Sequence, residues 1–94
     1  MPALTTGQII VDSLVCNGVD TLFGIPGAHT YDFFDALYEK RDKLRVINTR
    51  HEQGAGYMAY GYARSSGRVG VYSVVPGPGV LNSGAALATA YGAN

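Results

Sequence analysis

The sequence predicts an α/β fold, a parallel sheet flanked by helices. Three observations lead there. Segments of helical and strand-like pattern alternate in the order α-β-α-β-α-β-α, helical crossovers separate the strand-like runs, and the first and last of these runs end in Pro-Gly loops. Strands joined through helices pair in parallel, because a tight turn cannot return the chain to the same edge.

The first helix is expected over Thr6–Cys16. Thr5 or Thr6 can cap it, Ile10, Val11, Leu14 and Val15 supply the four-residue spacing, and Asn17-Gly18 ends it. Val19–Phe23 reads as a short strand closed by Gly24. Thr30 or Asp32 opens a second helix whose apolar face is Phe33, Phe34, Leu37 and Tyr38. Asp32 and Asp35 lie near its start and Lys40, Arg41 and Lys43 near its end, the order of signs that the helix dipole favours. Arg45–Thr49 is the second strand.

A third helix is expected over Glu52–Ser66, with Ala55, Met58, Ala59, Tyr62 and Ala63 on one face and Gly67 as its stop. Gly54, Gly56 and Gly61 lie inside it. Each costs about 1 kcal/mol against alanine, which close packing is expected to offset. Val69–Val75, rich in β-branched residues, is the third strand. Pro76-Gly77-Pro78-Gly79 follows, then a helix from Asn82 to Tyr91.

The 94 residues carry no net charge and are 47% hydrophobic. Balanced charge gives no electrostatic case for nucleic acid or for an anionic membrane. No apolar run approaches the roughly 18 residues that a membrane span needs, and the N-terminus lacks a signal-peptide pattern. Cys16 is the lone cysteine, so no internal disulfide can form; it is expected as a buried, inert thiol in a cytoplasmic protein.

In parallel sheets ligands bind beyond the carboxyl ends of the strands. Here the segments leaving those ends, 24–28, 50–52 and 76–79, hold nearly all the chemically distinctive residues. Glu52 stands where a strand gives way to a helix. It can be an ordinary first-turn glutamate complementing the dipole, or a carboxylate placed to exchange a proton with a ligand nitrogen. Either Pro-Gly loop alone reads as a turn; two in one sheet suggest a flat wall of backbone. Neither is a phosphate cradle, for there is no G-x-x-x-x-G-K-[ST] and Gly77-x-Gly79 lacks the third glycine of the dinucleotide pattern. His29 and His51, without clustered partners, give no metal site; His51 reads as a structural strand-end residue, and His29 can face the same crevice as Glu52.

Taken together, three segments resemble a known family. Val19-Asp20-Thr21-Leu22-Phe23-Gly24-Ile25-Pro26-Gly27, Arg50-His51-Glu52-Gln53-Gly54-Ala55 with Ala59-Tyr60-Gly61-Tyr62-Ala63-Arg64, and Gly77-Pro78-Gly79 with Asn82 are similar in order and spacing to signatures of the pyrimidine-binding domain in thiamine-diphosphate-dependent enzymes. The likeness is to acetolactate synthase, benzoylformate decarboxylase and benzaldehyde lyase. It implies the thiamine-diphosphate-binding fold, with residues 1–94 as an N-terminal portion incomplete at its C-terminal side.

The resemblance further implies decarboxylation or carboligation of a 2-oxo acid, an aldehyde being another possible substrate. Glu52 would bond the cofactor's aminopyrimidine and promote deprotonation of its thiazolium carbon. Pro26, Gly27, Gly77, Pro78, Gly79 and Asn82 would line the cofactor site, and His29 would serve as a proton relay. Mg2+ ligands belong in the family to a C-terminal domain, and no Gly-Asp-Gly…Asn pattern occurs here. Pro76 stands where many members carry Ser or Thr, Tyr57 where histidine is frequent, and Val75 where benzoylformate decarboxylase has a titrating histidine.

Family pyrimidine domains are nearly twice as long. The expectation is therefore a piece inactive alone, whose unfinished sheet edge pairs with a second copy or with the remainder of the parent enzyme. The alternatives are a non-catalytic assembly or binding module of the same fold and a flavodoxin-like mononucleotide binder, which the missing phosphate loop disfavours.

Overall fold

The computed structural model describes residues 3–93. Thr5 caps α1 (Thr6–Cys16): its hydroxyl accepts from the Gln8 amide at 3.1 Å, and Gln8 Oε1 accepts from the Thr5 amide at 2.8 Å. This reciprocal box satisfies two amides that the helix itself leaves free. There follow β1 (Thr21–Gly24), a 3-10 turn (Ala28–Thr30), α2 (Tyr31–Glu39), β2 (Arg45–Asn48) and α3 (Glu52–Ser66). β3 (Tyr72–Ser73), α4 (Pro78–Asn82) and α5 (Gly84–Ala93) complete the order.

All strand pairings are parallel, in the order β2-β1-β3. β1 is central and buried along its whole length. Because strand side chains alternate between faces, Leu22 and Phe23 serve two different cores. Leu22 packs with Val11, Ala36, Leu37 and Leu44 under α1 and α2. Phe23 packs with Ala55 and Ala59 of α3, and its ring meets Tyr62 edge-on at 6.0 Å. α5 lies beside α3, where Ala86 is buried against Gly56. The expected parallel sheet between helices is thus the observed one. No helix of the described residues is long and apolar enough to cross a membrane.

Four details differ from the sequence reading. β3 covers Tyr72–Ser73 rather than Val69–Val75: the four-residue β1 offers it few partners, and Val69 is 73% exposed. The last helix begins earlier, at Pro78, and breaks at Ser83. Proline at the first helical position lacks only an amide that would be unpaired anyway. At the break, the buried Ser83 hydroxyl accepts from Tyr72 and donates to the Val80 carbonyl. Cys16 is exposed, not buried, because the inward stripe of α1 runs through Gly7, Val11, Leu14 and Val15 and also leaves Ile10 outside. Close packing accounts for Gly56 alone among the glycines of α3. A Cβ on Gly61 would meet open space and one on Gly54 only an ordinary contact.

At the amino ends of the strands Asp20 forms a polar knot. Its carboxylate accepts from Tyr62 at 2.8 Å and Thr21 at 3.0 Å and pairs with Arg68 at 2.8 Å; Arg68 also reaches the Gly18 carbonyl. The Tyr62 hydrogen bond, then that of Thr21, hold the carboxyl below its ordinary value of 3.8, with the Arg68 charge assisting.

Candidate functional site at the strand ends

The register pairs Gly24 with both Asn48 and Ser73, so all three strands finish level and their loops leave one edge of the sheet. The strand backbones there are tightly apposed. A Cβ on Gly24 would lie 2.5 Å from the Ser73 carbonyl oxygen.

The two Pro-Gly loops meet across Val75. A Cβ on Gly27 would run into the Val75 side chain, and one on Gly79 would stand 3.0 Å from the other Val75 methyl and 3.2 Å from Val74 Cβ. Gly27 is fixed further by Thr30, whose hydroxyl accepts from its amide and donates to its carbonyl. Gly77 adopts φ 74°, ψ −112°, a conformation that favours glycine, and turns the chain into Pro78 at the head of α4. The two loops are thus packed together, with Val75 as the apolar side chain that joins them.

Glu52 opens α3. His51 is the residue before it and caps the helix, its Nδ1 accepting from the Gln53 amide at 3.0 Å. Thr49 donates to the His51 carbonyl at 2.9 Å and steadies the loop. Glu52 is half-exposed as a residue, and its Oε1 accepts from Asn82 Nδ2 at 3.2 Å in a solvent-exposed hydrogen bond across to the end of α4. Its own backbone amide, then Asn82, then the charge of His51 hold the carboxyl below its ordinary value of 4.5, while partial burial acts the other way. At neutral pH the group is therefore an anion.

The remaining candidates lie around this pair. Gly79 is buried where the two loops meet, whereas Gly77 and Pro78 are exposed. His29 is exposed in the 3-10 turn, and among the described residues no hydrogen bond joins it to Glu52 or Asn82. Pro26 is exposed and lines a cleft of about 390 Å³ over α2 and β2, with Phe34, Tyr38, Arg41 and Arg45; neither Glu52 nor Asn82 borders it. Another opening, about 410 Å³, lies between α3 and α5, lined by small and apolar side chains with Arg64 as its one charge. That composition suits packing better than chemistry, and the carboxylate is elsewhere. Among the described residues no three His, Cys, Asp or Glu side chains gather as a metal site would require.

Two relationships escape the sequence. Histidine is not a favoured capping residue, so nothing marked His51 as a cap. The bond from Asn82 to Glu52 joins positions 30 apart, beyond any local pattern.

Comparison with known proteins extends this picture. Residues 4–94 match the family described as thiamine pyrophosphate enzyme, N-terminal TPP binding domain. A protein of Pseudomonas aeruginosa named probable 2-ketoarginine decarboxylase is 52% identical over 88 residues, 94% of this chain and 15% of that protein. The mitochondrial acetolactate synthase catalytic subunit of Saccharomyces cerevisiae is 44% identical over 88 residues, 94% of this chain and 13% of its own length. An acetolactate synthase of Mycobacterium bovis is 47% identical over 87 residues, 93% of this chain and 14% of that protein. The chain thus spans about one seventh of these curated relatives.

Proposed function

The chain belongs to the thiamine pyrophosphate enzymes, within their N-terminal TPP binding domain, and from that premise we propose that it supplies the pyrimidine side of a thiamine diphosphate site, with Glu52 as the activating carboxylate. The observation that carries this reading is the placement of Glu52: a carboxylate at the common edge of three parallel strands, hydrogen-bonded across α3 and α4 to Asn82. The residues suit a flat heteroaromatic ring. Gly27 and Gly79 bring their two turns together on the apolar Val75 side chain, and an ionised carboxylate accepts hydrogen bonds only.

Each residue then has a definite task. Glu52, kept anionic by its own amide and by Asn82, would accept a hydrogen bond from the aminopyrimidine and so favour its protonated form. Gly27, Val75 and Gly79 would offer the ring an apolar surface. Gly77 and Pro78 fix where α4 starts and hence where Asn82 stands. His29, in the exposed turn, is open to substrate and is the candidate proton relay on that side. Pro26 is assigned to the outer rim. When bound, the cofactor supplies an electron sink for the carbanion left when a 2-oxo acid loses carbon dioxide.

The parent activity proposed is decarboxylation or carboligation of 2-oxo acids, in line with the names of the relatives. The diphosphate and Mg2+ ligands fall to the rest of the parent protein or a partner subunit. A second reading, a non-catalytic assembly module, draws on the exposed apolar side chains Val80, Leu81, Leu87 and Tyr91 of α4 and α5.

Calorimetry of the chain with thiamine diphosphate and Mg2+ separates the two. Saturable heat that disappears in Glu52→Gln supports the cofactor role. Heat unchanged by that substitution, or none at millimolar ligand, rejects it for this chain in favour of assembly. No turnover of pyruvate is expected from the chain alone.

A further inference from the structure

Asn82 belongs to the third sequence signature, whose resemblance places it among cofactor-lining residues. Its hydrogen bond points elsewhere: Nδ2 donates to Glu52 Oε1 at 3.2 Å. An ionised carboxylate has no proton to give, so the amide must present its NH2 end to it, and the orientation of the Asn82 side chain follows from chemistry. Asn82 also stands on a firm base. The next residue, Ser83, is fully buried and tied to Tyr72 and Val80. At the other end α4 is set by Gly77 and Pro78.

Glu52, by contrast, projects from the first turn of α3 on a flexible side chain with several rotamers open to it. Among the described residues no other side chain hydrogen-bonds its carboxylate. Resting on the reading of Glu52 given above, we infer that Asn82 is a positioning residue: it anchors one carboxylate oxygen and leaves the other to meet the ring nitrogen. Because Gly79 of α4 and Gly27 of the β1–α2 loop both pack on Val75, the carboxylate is referenced through Asn82 to the place where the two glycine turns meet.

A bond too weak to hold the exposed carboxylate would leave the proton affinity of Glu52 unchanged when Asn82 is altered, because only a populated hydrogen bond favours the ionised form. The titratable groups nearest in the chain are Arg50 and His51 on its own loop and Tyr57 on α3, and His29 lies on the β1–α2 loop; residues 74–82, which carry α4 and the approach to it, contain none. Any change in Glu52 titration on altering Asn82 therefore reports on the anchor itself.

The chain contains two glutamates, Glu39 and Glu52, so carboxyl-13C labelling gives two signals that Glu39→Gln assigns. In Asn82→Ala the Glu52 titration midpoint is expected to rise. In Asn82→Asp, nearly identical in shape, a second carboxylate at the same reach raises proton uptake further. Circular dichroism establishes that each variant is folded, and the isosteric variant alone suffices should the alanine variant unfold. A Glu52 signal titrating as in wild type in a folded Asn82→Asp chain overturns the inference. Since this readout involves no cofactor, it can fail while the proposed role of Glu52 stands, and Glu52→Gln calorimetry can fail while the anchor stands.

Discussion

Gly56 of α3 and Ala86 of α5 meet with no room for another methyl group: a Cβ on Gly56 would lie 2.6 Å from Ala86 Cβ. The two helices can lie this close because one of them has no side chain at the crossing. Gly61, in the same helix, faces open space.

The same substitution therefore has opposite signs at the two glycines. Gly61→Ala adds helix propensity without a clash and is expected to raise stability by up to about 1 kcal/mol. Gly56→Ala forces α5 outward and is expected to cost about 1–3 kcal/mol, as overpacked cores do. Urea midpoints of the two variants, compared with wild type, test the pair.

Leu22 and Leu37 are almost fully enclosed, at 0% and 1% exposure. Truncating either to alanine is expected to cost about 2–5 kcal/mol. A domain this small has a total margin of similar size. Leu22→Ala should therefore be largely unfolded at room temperature, while Leu81→Ala, at a 79% exposed position, should melt close to wild type. Thermal circular dichroism provides the measurement.

The Asp20 knot sets part of the response to acid. Its carboxyl titrates lower in the folded chain than its ordinary 3.8, so the folded state favours the ionised form. This contribution is present in full above the ordinary value and is lost as pH falls through 3.8 and then through the lower folded value. Asp20→Asn should reduce stability at pH 7 and flatten the fall between about pH 5 and pH 2. Urea midpoints across that range check it; an acid limb identical to wild type would exclude the knot as a contributor.

The fold was legible because its determinants are local. Helix α3 shows its far end in the sequence: Gly67, at φ 73°, closes it. The parallel sheet followed from alternation alone. β3 was overdrawn because β-branched residues signal compatibility with a strand, whereas strand length depends on a partner. α4 was hidden because Pro-Gly-Pro-Gly reads as a turn, yet Pro78 tolerates the first position of a helix. At the strand ends, the sequence already placed Glu52 and the glycine turns on one edge of the sheet. That Asn82 contacts Glu52, and that Val75 receives both Gly27 and Gly79, are facts of three-dimensional apposition.

The central strand comes first in the chain, and one of its two neighbours is only two residues long. β3 must travel back over α2, β2 and α3 to dock, so its pairing closes a much longer loop than that of β2 and bears the larger entropic cost. Excursions that release β3 before the rest of the sheet would carry Val75 away with it, separating the two glycine turns while Glu52 stays on α3. A ligand bound against those turns would oppose such openings and slow amide exchange at Tyr72 and Ser73, so this short strand would report binding at the turns it carries.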